Sequence, residues 1–213
     1  MISLGNVQKK FGGRVALHGL TLEVPQGEIF GLLGHNGAGK STAIGMMLGQ
    51  VWPTSGVVKV CGHDVTTHRA KALQKVGAIF EAPAFYDYLS GRRNLEILCQ
   101  YSGPASPQRI REVVEWVGLT GREDSKVRTY SHGMRARLAI AQALLPQPEL
   151  VILDEPGSGL DPEGIAETDP RSGGVGGPDG PRGFQGANVF ARHARAAGDC
   201  PGAFAAAGTG DPG

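Results

Sequence analysis

Eight residues near the start of the chain, Gly34 to Ser41, have the types and spacing of a phosphate-binding loop. Their order is Gly-His-Asn-Gly-Ala-Gly-Lys-Ser, which fits the G-x-x-x-x-G-K-[ST] pattern. Glycines let successive backbone N–H groups turn toward phosphate oxygens, a lysine supplies a cation, and a serine hydroxyl can ligate Mg²⁺. We therefore predict that a nucleotide is bound by Gly34, His35, Asn36, Gly37, Ala38, Gly39, Lys40, Ser41 and Thr42.

A second group of candidate residues is acidic and ends an apolar run. Residues 149–154 are Glu-Leu-Val-Ile-Leu-Asp, and Glu155 follows them. The run predicts a buried strand, and ligands of open α/β folds bind where such strands end. Asp154 would hold Mg²⁺ through water, and Glu155 would accept a proton from an attacking water. Taken alone, the same residues are equally consistent with an ordinary strand end.

The elements that must position the loop are visible on both sides of it. Residues 28–33 form a short apolar run between Pro25-Gln26-Gly27 and Gly34, which predicts a buried strand. Ile44, Met47 and Leu48 follow at helical spacing. A strand, a loop and a helix in this order favour a phosphate loop over a chance glycine-rich turn, because the helix start adds unpaired N–H groups and its positive dipole end.

The rest of the first 167 residues is predicted to be mixed α/β. Alternating apolar residues indicate antiparallel strands over 2–10 and 16–24 with a turn at Gly12-Gly13, and further strands over 57–61 and 75–80. Ser106-Pro107 is typical of a helix start. We expect an N-terminal antiparallel β subdomain, an α/β core sheet, and a helical subdomain inserted over about residues 85–145.

Two weaker patches lie beside the acidic strand. In residues 130–138, Ser131 is a natural helix cap and Gly133 allows a close approach of the backbone to a ligand. Residues 159–162, Gly-Leu-Asp-Pro, form a turn on their own. By themselves these residues favour a plain helix start and a plain turn.

In this order the motifs resemble the ATP-binding cassette (ABC) family of ATPases, over residues 1 to about 167. The resemblance makes 34–42 the Walker A loop, 150–154 the Walker B strand with Glu155 as general base, 130–134 a degenerate LSGGQ signature, and 159–161 the D-loop. It also implies that Ser131 and Gly133 bind the ATP held by a second cassette. Lys40 and Glu155 are the implied catalytic residues.

The resemblance implies two further site residues. Phe11 stands where the family has an aromatic residue that stacks on adenine, although a core aromatic is the alternative. Residues 77–86 fall at the family's Q-loop, with Glu81 in place of the usual Gln. The implied Mg²⁺ ligands are Ser41, Asp154 and Glu81. His132 and Met134 also depart from the usual signature, and we expect these changes to tune the site rather than destroy it.

The implied function is that of an ATP-binding and hydrolysing transporter subunit at the cytoplasmic face of the cell membrane. The Met134 and Glu81-Ala82-Pro83 variations resemble exporters of the bacitracin and multidrug resistance type. Implied cofactors are ATP and Mg²⁺, and implied partners are a transmembrane permease on a separate chain and a second nucleotide-binding domain, expected as a homodimer. The substrate cannot be inferred, because membrane subunits choose it. A soluble, non-transport ABC protein is the lower-ranked alternative.

Composition excludes several other classes. The formal net charge of +1 gives no indication of a nucleic-acid partner. The three cysteines are far apart and have no metal-ligand spacing, which is typical of a reducing cytosol. The N-terminus does not resemble a signal peptide, and no apolar run reaches the ~20 residues of a membrane span. We therefore expect any membrane-spanning part to be on another chain.

Residues 168–213 differ sharply from the rest. These 46 residues contain 12 Gly, 9 Ala and 5 Pro, and no Leu, Ile, Met, Lys or Glu. We predict a disordered tail, either natural or translated out of frame. The family continues with an apolar strand ending in a His; here that strand is expected to be missing, and His193 is not expected to replace that His. A hydrolysis-defective ATP-binding fragment is therefore an alternative function.

Overall fold

The computed structural model describes residues 1–35, 37–80, 84–102, 106–154, 188–191 and 205–208. They form two units, one from 1–76, 149–154, 188–191 and 205–208, and one within 77–148. In chain order the strands and helices are β1 (Ile2–Phe11), β2 (Arg14–Val24), β3 (Phe30–Leu33), α1 (Lys40–Met47), β4 (Ser55–Val60), β5 (His63–Asp64), α2 (Arg69–Leu73), β6 (Val76–Ile79), α3 (Gly91–Ser102), α4 (Pro107–Trp116), α5 (His132–Leu144), β7 (Leu150–Leu153), β8 (Asn188–Ala191) and β9 (Ala205–Gly208).

The first sheet of the N-terminal unit is antiparallel, with the strand order β2-β1-β4-β5. A hairpin joins β1 to β2 through Gly12 and Gly13, and it pairs Phe11 with Arg14. Side chains such as Ile2, Leu4 and Val7 point into the core, as alternating strands require when one face is buried. The predicted antiparallel β start is confirmed.

The second sheet of this unit positions the phosphate loop and the acidic strand. β8 pairs in parallel with both β3 and β7, and β9 pairs antiparallel with β3. Gly31, Ala191 and Leu153 lie in one row across the three parallel strands. Because parallel strands end at the same edge, Gly34 and Asp154 emerge at one edge from strands separated by about 10 Å.

The strand between β3 and β7 differs from the expectation that no strand follows residue 167. β8 and β9 are strands of the sheet, and β8 ends two residues before His193. A strand between two parallel neighbours is held by backbone N–H and C=O groups, which do not require a Leu or Ile cluster. The remaining residues of 155–213, including His193, lie outside the described residues, and the predicted boundary at residue 167 stays a prediction.

The second unit contains three helices that pack on one another, α3, α4 and α5. Ser106 caps α4 by accepting a hydrogen bond from the N–H of Arg109 at 3.1 Å, as predicted. The Arg109 guanidinium in turn donates to the carbonyls of Leu144 (2.6 Å) and Leu145 (3.3 Å). It thereby satisfies carbonyls at the end of α5, where a cation also complements the helix dipole.

Candidate nucleotide-binding site

The phosphate loop connects β3 to the first turn of α1. Gly39 is the N-cap residue of α1, with φ 89° and ψ 11°. Gly37 also has a positive φ of 84°. Such left-handed backbone is readily adopted by glycine and costly for residues with a Cβ. The glycines predicted from the motif therefore allow the chain to turn directly from the strand into the helix.

Gly39 is required for a second reason, which is the close approach of β2. A Cβ atom added to Gly39 would lie 2.5 Å from the carbonyl oxygen of Ala16 and 3.0 Å from Cδ2 of Leu17. Because the first of these is a backbone atom, the clash cannot be relieved by rotating a side chain. The absence of a side chain at Gly39 thus lets β2 pack against the phosphate loop where it meets α1.

We expect Gly39→Ala to lower the free energy of unfolding by about 2–4 kcal/mol, because backbone strain and a clash add together. Gly27→Ala is the matched control: its φ is 88°, but nothing lies within 4 Å of an added Cβ. That control should cost about 1 kcal/mol, from the backbone alone. Urea unfolding of both variants measures the difference, and equal losses would contradict the proposed close-packing role of Gly39.

Lys40 is buried at the start of α1, with 3% of its surface exposed. Its Nζ atom donates hydrogen bonds to the carbonyl oxygens of Gly34 and, at 2.7 Å, His35. A buried ammonium group needs such acceptors, because an unsolvated charge is very costly. The Lys40 side chain therefore reaches back to the start of the loop and places its ammonium group against the loop backbone.

A cavity of about 350 Å³ lies against the loop. Phe11, half of whose surface is exposed, lies on its wall beside residues of the phosphate loop and helix α1. Among the described residues that line the cavity, Arg14 and Lys40 are cationic and none is acidic. Its lining residues are Phe11, Arg14, Val15, Ala16, Gly37, Gly39, Lys40, Ser41 and Thr42.

This cavity has the composition that a nucleoside triphosphate requires. Ligand pockets of roughly 300–1,000 Å³ combine apolar or aromatic walls with a few placed polar groups. Here an exposed aromatic ring can stack on a base, and the cationic side chains and the N–H groups of the helix start can bind phosphates. The structure thus brings Phe11 together with Gly37, Gly39, Lys40, Ser41 and Thr42 in a single cavity.

The donor set for a magnesium ion consists of oxygen atoms. Ser41 is an exposed residue that lines the cavity, and Asp154 is a buried residue just after β7. Mg²⁺ prefers such ligands and usually keeps several waters and substrate phosphates in its coordination sphere. The two residues fit the ion in chemical type. Among the described residues, no cluster of three or more His, Cys, Asp or Glu side chains could hold a metal.

Three predicted site residues, Asn36, Glu81 and Glu155, lie outside the described residues. The remaining loop residues lie where the motif predicts: Gly34 follows β3, and His35 and Ala38 form a turn closed by the Ala38 N–H and the His35 carbonyl at 3.1 Å. The same loop also borders a second cavity, of about 430 Å³, on the β2 side.

The predicted signature residues lie in the second unit, at the start of α5. Ser131 is the N-cap, and its hydroxyl accepts a hydrogen bond from the N–H of Met134 at 3.2 Å. Ser131 is exposed, and Gly133 is partly exposed, in the first turn of the helix. Since the first N–H groups of a helix lack intrahelical partners, this turn presents donors and a positive dipole end to an anion.

Tyr130 fixes the segment that leads into this helix. Its hydroxyl donates to the carbonyl of Arg122 at 2.8 Å, and the ring is buried. Burial raises the pKa of the Tyr130 phenol, and the nearby Glu123 and Asp124 carboxylates raise it further. The phenol is a protonated donor at neutral pH even with its ordinary pKa, and its hydrogen bond to Arg122 holds the residue that precedes α5.

Motif reasoning missed Arg14 and Lys9. Arg14 lines the cavity opposite Phe11 in the hairpin, and the Lys9 ammonium lies 4.8 Å from the centre of the Phe11 ring. Neither residue belongs to a phosphate-loop pattern. The available signal was the hairpin itself: once Phe11 is placed at a site, a two-residue turn necessarily brings residue 14 beside it.

The fold and the site together define a phosphate-loop nucleotide-binding domain. The model of the ABC transporter family matches residues 17–158, which includes the loop, the predicted signature and the acidic strand. The chain therefore belongs to the ABC transporter family.

Curated relatives agree with this assignment. The chain is 47% identical over 167 residues to the uncharacterized ABC transporter ATP-binding protein YhcH of Bacillus subtilis, covering 78% of this chain and 55% of the relative. It is 43% identical to the bacitracin transport ATP-binding protein BcrA of Enterococcus faecalis, covering 78% and 54%. The chain thus spans about half the length of the curated relatives it matches.

A solved structure supports the fold. The chain resembles a dimeric ATP-binding cassette in a post-hydrolysis state bound to ADP and phosphate, with a TM-score of 0.72 at 23% identity. The similarity covers 91% of this chain and 88% of that one. The predicted α/β fold, with a phosphate-loop core sheet, is confirmed. In the described part of the chain, no helix has the length and apolar character to cross a membrane.

Proposed function

We propose that this chain binds and hydrolyses ATP as the nucleotide-binding subunit of an ABC transporter. The observation that carries the proposal is the cavity that joins Phe11 to Lys40, Ser41 and Thr42 on the phosphate loop. An aromatic platform and a phosphate cradle in one cavity match the two ends of a nucleotide. Family membership favours ATP and transport over other uses of such a loop.

Binding uses the loop as an anion site. The backbone N–H groups of residues 37–41 and the Lys40 ammonium hold the outer phosphates, while Phe11 stacks on the base. Because Lys40 bonds to loop carbonyls in this structure, its ammonium is already positioned beside the phosphate path. Binding of a triphosphate therefore costs little side-chain conformational entropy at Lys40.

Hydrolysis is a phosphoryl transfer to water, in which positioning and charge neutralisation dominate. Lys40 offsets charge on the transferred group, and Glu155 orients the attacking water and accepts its proton. Ser41 and Asp154, with Glu81, would hold Mg²⁺, which neutralises phosphate charge and orients the phosphates when bound. These roles rest on residue type and on the family resemblance.

A complete site would need a second cassette. We infer that Ser131 and the first turn of α5 on one copy cover the γ-phosphate held by the loop of another copy, because helix starts with exposed donors bind anions. The similar cassette described above was solved as a dimer, which supports pairing of two cassettes. ATP-driven closure and reopening of the pair would then move a separate transmembrane permease at the cytoplasmic face of the membrane.

The names of two relatives give an indication of the kind of molecule that is transported. A relative at 43% identity is a bacitracin transport ATP-binding protein, and another, at 40%, is a linearmycin resistance ATP-binding protein. Both names favour export of an antibiotic-like molecule. We extend this to the present chain as an export function with an undefined substrate.

The proposal is tested by measuring phosphate release from Mg²⁺–ATP by the purified chain. We expect saturable release that stops when EDTA removes the metal. Saturable ATP binding without phosphate release would instead identify a hydrolysis-defective ATP-binding protein. Absence of any ATP binding at millimolar concentration would refute the proposed function altogether.

Arg14 offers a milder prediction within the same cavity. We expect Arg14→Gln to weaken ATP binding about three- to tenfold, because one cation facing the phosphates or ribose is lost. Arg111→Gln makes the same charge change at an exposed arginine on α4 that is not among the residues lining the cavity. Calorimetric titration of ATP compares the two. If both variants bind ATP equally, Arg14 does not contact the nucleotide.

A further inference from the structure

We propose that Lys9 is a positioning residue that fixes the Phe11 ring for stacking on the nucleotide base. The inference rests on the proposed function. The Lys9 Nζ atom lies 4.8 Å from the centre of the Phe11 ring, within the range of a cation–π contact. Phe11 lines the cavity, whereas Lys9 is not among the lining residues. The ring thus belongs to the cavity wall, while the ammonium that contacts it belongs to a residue outside that wall.

The Lys9 ammonium is itself held by the main chain. Its Nζ atom donates to the carbonyl oxygen of Trp52 at 2.6 Å. Two further hydrogen bonds join the same segments: the Thr54 N–H donates to Gln8 at 2.8 Å, and the Lys10 N–H donates to the Thr54 hydroxyl at 3.0 Å. The end of β1 is thus tied to residues 52–54, and Lys9 has a fixed position from which to hold Phe11.

This tie connects the base platform to the phosphate site. Residues 52–54 follow the end of α1, and α1 begins at Lys40 in the phosphate loop. Both ends of the helix are therefore linked to the cavity, one through Lys40 and the other through Lys9 and Phe11. We infer that this link sets the separation between the ring and the phosphate cradle.

A half-exposed phenylalanine would otherwise sample several rotamers. The Lys9 cation restrains the ring through the attraction between a positive charge and the π electrons. Restraint before binding reduces the order that stacking must impose, and so it raises affinity for ligands that carry a base. The Lys9 effect should therefore depend on the base and not on the phosphates.

The test compares two probes, Mg²⁺–ATP and Mg²⁺–tripolyphosphate, which has phosphates but no base. We expect Lys9→Met to weaken ATP binding about two- to fivefold and to leave tripolyphosphate binding within a factor of two. Lys10→Met is the control, because it removes the same charge from the adjacent exposed residue. It should change neither probe by more than a factor of two. Calorimetry gives each Kd, and thermal unfolding verifies that the variants are folded.

Two further variants separate charge from hydrogen bonding. Lys9→Arg keeps the cation and should retain most of the ATP affinity. Lys9→Gln keeps a donor for the Trp52 carbonyl but loses the charge, and it should resemble Lys9→Met; it also serves if Lys9→Met does not fold.

The inference is overturned if Lys9→Gln binds ATP as well as the unmodified chain, or if ATP and tripolyphosphate lose equal affinity. If the unmodified chain binds tripolyphosphate as well as ATP, Phe11 does not act as a platform for the base, and the inference is refuted. If the unmodified chain binds neither probe, the proposed function itself is refuted.

Discussion

Replacing Lys40 with methionine is expected to abolish ATP hydrolysis, because the cation that offsets developing charge is lost. It is also expected to weaken ATP binding about 10- to 100-fold, the loss typical of hydrogen bonds between charged groups. Lys40 is 3% exposed, and its ammonium donates to two loop carbonyls. Methionine has a similar length but no charge and no donor. The variant therefore removes the cation that would bind the phosphates, and it also removes the hydrogen bonds from Nζ to the loop carbonyls.

Lys59→Met is the matched control for Lys40→Met. Lys59 is exposed on β4, and its loss changes the net charge by the same amount. ATP binding by calorimetry and phosphate release should be unaffected in this control. The role assigned to Lys40 is contradicted if Lys40→Met binds ATP within threefold of the unmodified chain.

Glu155→Gln is expected to lower the rate of ATP hydrolysis about 10³-fold while ATP binding is retained, because a general base contributes roughly 10²- to 10⁴-fold. Glutamine has nearly the same shape but cannot accept the proton. ATP would then remain bound without being consumed, and a pair of chains closed around it would persist. Phosphate release, ATP affinity and the mass of the particle by light scattering measure the three effects.

Glu149→Gln supplies the control for this second change. Glu149 lies just before β7 and pairs with Lys75 at the surface, where solvent screens the charges, so its loss should leave stability nearly unchanged. Hydrolysis should continue in that variant. If Glu155→Gln turns over ATP at the unmodified rate, Glu155 is not the base, whereas loss of ATP binding would indicate a structural role instead.

These two predictions depend on residues that short motifs identify well. Lys40 follows directly from a glycine-rich loop, and the structure places it at a helix start as the motif predicts. Glu155 follows an apolar strand that ends in acid, and its role as general base stays a prediction from the family resemblance. The strand β7 is buried throughout its length, also as predicted. Such local patterns succeed because adjacent residues share one backbone geometry, so their spacing alone constrains what they can contact.

The part of the cavity around Phe11 could be predicted less well. Phe11 is 23 positions before Gly34 in the sequence, and its prediction depended on resemblance to a family. Arg14 and Lys9 were not predicted, because their roles depend on a hairpin, a neighbouring loop and a cation–π contact. The strand β8 was also missed, because its four residues are too few for a clear sequence pattern, whereas its place between β3 and β7 is seen directly from the backbone pairing.

The sequence by itself determined that this protein contains a phosphate loop, a buried strand ending in Asp154, and helices capped by Ser106 and Ser131. Each of these features is encoded within a few consecutive residues, through propensity, capping and apolar spacing. Only the tertiary structure decided that β1 and β2 would complete a cavity beside that loop. The physical reason is close packing: β2 can approach the loop because Gly39 has no side chain, and this approach brings Phe11 and Arg14 to the same cavity as Lys40.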